Sequence, residues 1–253
     1  MNILIVKKIS KSFGGVQAVA SVSFSVAAGE MLAMIGPNGA GKTTCFNMLN
    51  GQLAPDSGTI EMEGRNLLGE APREICHRGV GRTFQVTATF GSMSVRENIQ
   101  LALLAHARML GSLFSSVEKK LPDETDGLLA QIGMRAQADR QCAELAYGDL
   151  KRVELAMALA SRPRLLLMDE PTAGMAAAER NEVMQLTANL ARDSGIAVLF
   201  TEHDMDVVFR YADRIMVLSE GALVAQGTPA EVRADARVRR VYLGELDAEP
   251  GHA

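Results

Sequence analysis

The stretch that most restricts how this chain can fold is Gly36-Pro37-Asn38-Gly39-Ala40-Gly41-Lys42-Thr43-Thr44. It follows an apolar run, Met31-Leu32-Ala33-Met34-Ile35, and precedes a helix-like segment at 43–49. A strand, a glycine loop and a helix start, in that order, give G-x-x-x-x-G-K-[ST] the setting of a phosphate-binding P-loop. Glycine lets the backbone turn with positive φ and aim successive N–H groups at phosphate oxygens. The helix N-terminus adds unpaired N–H groups and the positive end of a dipole. Lys42 supplies a point charge for β- and γ-phosphates, and the Thr43 hydroxyl is placed to ligate Mg²⁺. A chance match to the pattern in a chain of 253 residues is on the order of one in a hundred. The flanking strand and helix make a mere glycine-rich turn rarer still.

The length allows one large α/β domain or two small ones, with 47% hydrophobic residues to fill a core. A net charge of −4, only 4% aromatics and no Trp argue against a nucleic-acid-binding surface. Cys45, Cys76 and Cys142 are odd in number, far apart and without a C-x-x-C pair, which fits reduced thiols and neither disulfides nor a zinc site. At the N-terminus the charges follow the apolar residues, the reverse of a signal peptide. No apolar run reaches the ~18 residues of a membrane span. The best candidate, 99–114, is broken by His106 and Arg108 and reads as an amphipathic helix.

Residues 3–28 alternate as strands, with Val22, Phe24 and Val26 on one face and a turn at Gly14-Gly15. Phe13, beside that turn, reads by itself as a hairpin aromatic. After the P-loop helix come a turn at 55–58, a short strand at 59–63 and a basic stretch, Arg73, His77, Arg78 and Arg82, which reads as a solvated face. The pattern is helical from 95 to about 133. One helix is expected at 96–109, and another from Pro122 with Leu128, Leu129 and Ile132 on one side. A helix opens near Leu145 and stops before Pro163. The run 165–168 is a buried parallel strand ending in Asp169-Glu170. A helix at 176–192 with Gly195 beyond it leads to a strand at 197–200 that ends before His203. A hairpin at 214–226 and a capping box at Thr228 start a final helix reaching Leu243.

Asp169 ends a hydrophobic strand, where ligands gather in doubly wound sheets, and a carboxylate there can hold Mg²⁺ across from Thr43. Glu170 can serve as general base to an attacking water, although an adjacent Asp-Glu is also an ordinary solvated strand end. His203 ends a strand at the same edge, which suits a phosphate contact or a water-orienting role.

Taken in order and spacing, these elements resemble an ATP-binding subunit of an ABC transporter over essentially the whole chain. The resemblance implies an α/β P-loop NTPase (RecA-like) core with an antiparallel β edge and an inserted helical subdomain. It makes residues 36–44 Walker A, Gln85 the Q-loop glutamine that reaches nucleotide and metal, and Asp169 and Glu170 the end of Walker B. His203 becomes the switch histidine, and Phe13 an aromatic that stacks on adenine. Leu145, Ala146, Tyr147, Gly148 and Asp149 stand at the signature motif. Residues 81–85, 145–148, 169–174 and the tail 241–245 are similar to the branched-chain amino acid branch. The implied domain runs over 3–249, with the helical insertion at about 87–150 and a family-specific tail at about 228–249.

The common signature is Leu-Ser-Gly-Gly-Gln. Here Ala146, Tyr147 and Asp149 replace three of its residues, and Leu150 replaces a polar residue usual in the branch. The serine hydroxyl that contacts the γ-phosphate is therefore absent, while backbone N–H groups at the helix start remain.

The resemblance implies ATP and Mg²⁺ as cofactors and a head-to-tail pair of cassettes sandwiching two ATP molecules. Its partners would be a second ATP-binding subunit (homologous or identical, with a heterodimer favoured) and two membrane permease subunits, and indirectly a periplasmic solute-binding protein. Nucleic acid is not among them. The chain would sit peripherally on the cytoplasmic face of the inner membrane and energise uptake of branched-chain amino acids, amides or urea-like solutes. A lipopolysaccharide-export ATPase and a soluble ABC-type ATPase are the alternatives. A signalling GTPase would need an Asn-Lys-x-Asp motif, which the sequence lacks.

Overall fold

The computed structural model describes residues 1–83, 89–107 and 117–243. Alternating apolar residues build β1 (Asn2–Phe13) and β2 (Val16–Ala27), which pair antiparallel around the Gly14-Gly15 turn. β3 (Met31–Ile35) is apolar at every position and wholly buried. It feeds the P-loop and α1 (Lys42–Leu49). β4 (Ser57–Met62) pairs with β1, and β5 (Arg65–Asn66) pairs with β4. α2 (Pro72–His77), started by its proline, leads to β6 (Val80–Thr83). Three helices follow, α3 (Val95–His106), α4 (Val117–Gln131) and α5 (Tyr147–Leu159). Then come β7 (Leu165–Asp169), α6 (Ala177–Ser194), β8 (Ala197–Thr201) and α7 (Met205–Tyr211). A hairpin of β9 (Arg214–Ser219) and β10 (Ala222–Gly227) precedes α8 (Pro229–Ala234) and α9 (Ala236–Leu243).

The strands form two sheets. The outer one is antiparallel in the order β2-β1-β4-β5, and the central one has the order β10-β9-β3-β8-β7-β6. In the central sheet every pairing is parallel except β10 on β9. Strands buried on both faces must be apolar throughout, and β3 shows why. Met31, Ala33 and Ile35 belong to the core under the helices, while Leu32 and Met34 belong to the core shared with β1, β2 and α1. β8 divides likewise, with Val198 and Phe200 on one side and Ala197 and Leu199 on the other. The register pairs Met34 with Thr201 and Thr201 with Asp169. The C-terminal ends of β3, β8 and β7 are thus level, beside the P-loop.

Between β6 and β7 the chain is helical and tied by polar bonds. Ser94 and Glu97 form a capping box at the start of α3. Asn98 is fully buried, and its amide donates to the carbonyls of Phe90 and Ser94 at 3.1 and 2.9 Å. The backbone N–H groups of Cys142 and Ala143 donate to Met93 and Gly91 carbonyls, so the approach to residues 145–149 is fastened to the segment before α3.

Two elements differ from expectation. α4 starts at Val117 and carries Pro122 inside it, where the proline lacks one helical N–H and the neighbouring Leu121 packs on the helix-facing core. The final helix is two helices. Asp235 leaves helical geometry at φ −70°, ψ 121°, and its carboxylate accepts the Arg237 N–H at 2.7 Å, a cap that starts α9 afresh. Among the described residues no helix is long and apolar enough to cross a membrane.

Candidate nucleotide-binding and hydrolysis site

The P-loop leaves β3 through Gly36 at φ 156° and enters α1 through Gly41 at φ 100°. A Cβ at Gly36 would come 2.2 Å from the Leu218 carbonyl oxygen, and one at Gly41 would come 2.4 Å from that of Ala18. The neighbouring strands β9 and β2 therefore crowd these two glycines. Gly39 lies in the open, with nothing within 4 Å of its Cβ position. Asn38 and Thr43 are exposed, Pro37 and Thr44 partly so, and Ala40 is buried. α1 has neither a side-chain cap nor an acidic residue in its first turn. Its N-terminal N–H groups are left to an anion.

Lys42 is buried, and its ammonium donates to the carbonyls of Gly36 at 2.6 Å and Pro37 at 3.1 Å. Burial pulls its pKa below the ordinary lysine value, and the nearby charges of Glu170 and Asp169 oppose that shift. The loop thus folds around its own lysine, whose charge faces the two acids at the end of β7.

Asp169 is held at both oxygens. Oδ1 accepts the Thr201 hydroxyl at 2.7 Å, and Oδ2 faces the Arg82 guanidinium at 3.5 Å. Glu170, the next residue, adopts φ 49°, a left-handed conformation costing on the order of 1 kcal/mol or more. Its N–H donates to the Thr201 carbonyl and hydroxyl at 3.2 and 3.0 Å, which stabilises the bend. The bend carries the Glu170 carboxylate to His203, with Oε1 2.9 Å from Nε2.

Three positions with a part in this geometry do not stand out in the sequence. Thr201 bridges Asp169 and Glu170. Glu202 is buried, and its carboxylate accepts the Thr172 N–H and hydroxyl at 2.9 and 2.6 Å and the His203 N–H at 3.2 Å, joining the turn after Glu170 to His203. Burial raises its pKa despite these donors. Arg82, expected on a solvated face, is mostly buried and donates to Asn47 and Gln52 as well as facing Asp169. The correction follows from topology, since β6 runs beside β7 and places Arg82 against Leu167, two residues before Asp169. A strand next to a catalytic edge is the one signal that could have singled it out.

The remaining expected residues lie apart from this cluster. Phe13 is 51% exposed at the tip of the β1–β2 hairpin, paired with Val16 near the Ala18 contact to the P-loop. Leu145 is partly buried, and Ala146 caps α5 without a side-chain bond. Tyr147 is exposed beneath the Lys151 ammonium, which lies 5.5 Å from the ring centroid. Gly148 is packed on Glu179, and Asp149 lies in the first turn of α5. α5 packs on α3, α4, α6 and β6, and among the described residues no hydrogen bond or ion pair joins 145–149 to 36–44. Gln85 lies outside the described residues.

The donor set suits a nucleoside triphosphate with Mg²⁺. The glycine cradle and open helix start are suited to phosphate, and the Thr43 hydroxyl and Asp169 carboxylate are hard oxygen donors of the kind that Mg²⁺ prefers.

The chain is similar to known proteins over nearly its whole length. The ABC transporter family matches residues 19–173, and the branched-chain amino acid ATP-binding cassette transporter family matches residues 222–248. The chain is 39% identical over 252 residues to the high-affinity branched-chain amino acid transport ATP-binding protein LivG of Salmonella typhimurium, covering 96% of this chain and 98% of that one. It is 37% identical over 250 residues to BraF of Pseudomonas aeruginosa, with the same coverage. The crystal structure of a nucleotide-free ATP-binding cassette from an ABC transporter superposes with a TM-score of 0.82 at 30% identity, covering 96% of this chain and 99% of that one. With its P-loop, its acidic strand end and its histidine on one sheet edge, the chain belongs to the ABC transporter family as an ATP-hydrolysing ATP-binding cassette.

Proposed function

We propose that this cassette is the ATPase subunit of a membrane importer that takes up branched-chain amino acids or related small polar solutes such as amides and urea-like molecules. The observation that carries the ATPase chemistry is the contact of Glu170 with His203 beside the charge of Lys42. The solute class is supported by the relatives named for branched-chain amino acid transport and by the C-terminal family match.

Lys42 exchanges its two loop carbonyls for β- and γ-phosphate oxygens, so phosphate binding and loop opening are one event. Glu170 is the general base toward the attacking water, a contribution typically worth about 10²–10⁴-fold. His203 donates its Nε2 proton to Oε1 and so fixes the direction in which the carboxylate points. Thr43, Asp169 and Gln85 would hold Mg²⁺, which when bound would neutralise charge developing between the phosphates. Phe13 stacks on the adenine ring from the hairpin tip.

The domain spans 3–249, with the helical subdomain at about 87–150 and the C-terminal tail at about 228–249. Residues 145–149 act on the nucleotide of a second ATP-binding subunit, a reading supported by the packing of their helix on α3, α4, α6 and β6 and by the lack, among the described residues, of any hydrogen bond or ion pair joining them to residues 36–44. A heterodimer with a homologous subunit is favoured, docked on two permeases at the cytoplasmic face of the membrane and served by a periplasmic solute-binding protein. The cavity of about 340 Å³ between α2, α3 and α5, lined by Cys76, His77, Ala102, Ala105 and Met157, would receive a permease's cytoplasmic helix.

Purification from solubilised membranes tests this reading. The chain should co-purify with two permease subunits, and the reconstituted complex should accumulate leucine, isoleucine or valine only with ATP. Recovery without membrane subunits, or with a lipopolysaccharide-exporting pair, overturns it.

A further inference from the structure

Arg82 is the only arginine among the described residues that faces Asp169, and its guanidinium joins three separate pieces of the site. Nη1 donates to the Asn47 amide oxygen at 2.9 Å and to the Gln52 amide oxygen at 3.1 Å. Asn47 is on α1, the helix that begins with Lys42 and Thr43, and Gln52 is in the turn after it. Nη2 faces Asp169 Oδ2 at 3.5 Å, near the outer limit of a hydrogen bond. The contact is long enough to leave Oδ2 able to take a second partner. Oδ1, by contrast, is committed to Thr201 at 2.7 Å.

We propose that Arg82 is the positioning residue for Asp169, holding the carboxylate in register with the helix that carries Lys42 and Thr43 so that its second oxygen meets the metal. The proposal rests on the assignment of Asp169 to Mg²⁺ made above. The planar fork matters because one nitrogen is anchored on two amides while the other aims at the acid. A lysine ammonium is a single point and cannot span Asn47, Gln52 and Asp169 together. Among the described residues, removing the fork leaves Asp169 with Thr201 as its hydrogen-bond tether and Oδ2 able to turn away.

The test measures binding of a non-hydrolysable ATP analogue to the full chain, once in EDTA and once in Mg²⁺, with the ratio of the two dissociation constants as the readout. In R82A the EDTA value should stay within about twofold, while the gain from Mg²⁺ falls by about tenfold, the usual cost of losing a partner that orients a metal ligand. R82K should recover part of that gain and no more. D169N should lose the gain, and R82A/D169N should be no worse than D169N, since the two residues act through one oxygen. Melting curves identify any variant that fails to fold, and if R82A is one of these, R82K carries the test.

A gain from Mg²⁺ that is unchanged or larger in R82A, with D169N deficient, overturns the proposal for Arg82 and leaves the metal assignment standing. Equal losses in EDTA and Mg²⁺ make Arg82 a structural brace and overturn it as well. An undiminished gain in D169N removes the metal assignment and the proposal together.

Discussion

His203 Nε2 lies 2.9 Å from Glu170 Oε1, bridging the ends of the adjacent strands β8 and β7. The contact orients the carboxylate when the imidazole presents an N–H at Nε2 and the carboxylate accepts it. The pair is held from both sides. The Glu170 N–H is bonded to Thr201, and the His203 N–H to Glu202.

Glu170→Gln should bind ATP within a few-fold of the parent and lose turnover by about 10²–10⁴-fold, because the amide cannot take a proton. His203→Ala should also lower kcat with little change in nucleotide affinity, since it removes the orienting donor and leaves the P-loop intact. Single-turnover hydrolysis beside equilibrium binding measures both, and near-normal hydrolysis by Glu170→Gln would refute its role as base.

Gly36→Ala should be far more damaging than Gly39→Ala. The first places a methyl 2.2 Å from the Leu218 carbonyl, whereas the second meets open space and only the strain of φ 79°. Overpacking typically costs about 1–3 kcal/mol and left-handed strain about 1–2 kcal/mol, and Gly36→Ala incurs both. Thermal melts and ATP titration of the two variants give the comparison. Equal effects would show that loop conformation, and not the clash with β9, is the constraint.

Burial raises the Glu202 pKa above the usual 4.5, so the folded chain holds that proton more tightly than the unfolded one. The stability this lends is fully present below the unfolded pKa and is lost as pH rises through the higher folded value. The melting temperature of the parent minus that of Glu202→Gln should therefore decrease as pH is raised from about 4 to about 7. A difference that grows over that window would contradict the sign.

Cys45 is wholly buried on α1, and burial pushes its pKa up to about 12, while Cys76 is only partly buried. Since the thiolate is the reactive form, iodoacetamide at neutral pH should label Cys76 first. Cys45 and the buried Cys142 should react only after unfolding. Mass spectrometry of digested protein reads the order, and early labelling of Cys45 would mean that α1 opens in the native state.

Hydrolysis by the isolated chain should depend on protein concentration, because among the described residues no hydrogen bond or ion pair joins 145–149 to 36–44 of one chain. Specific activity should fall on dilution. Activity constant down to dilute monomer would exclude the two-chain sandwich.

Secondary structure was largely legible because the pattern is local. The continuous apolar runs at 31–35, 165–168 and 197–200 are what strands buried on both faces require, and each lies in the central sheet. Helix limits were less legible. Pro122 sits inside a helix beside the packed Leu121, and Asp235 caps the Arg237 N–H, neither of which a periodicity records.

The same division holds for the site. The nine residues of the P-loop are contiguous, so their chemistry can be read along the chain, and the strand end at Asp169-Glu170 and the lone His203 could be named as candidates. Their partners could not. Arg82 looked like one solvated charge among four, and Glu202 and Thr201 like ordinary polar residues, because their roles arise from strand order. β6 beside β7 brings Arg82 to Asp169, and β7 beside β8 brings Thr201, Glu202 and His203 to the acids. The chemical groups are a property of the amino acids, whereas the 2.7–3.5 Å distances that pair them across three strands exist only once parallel pairing has aligned the ends of those strands.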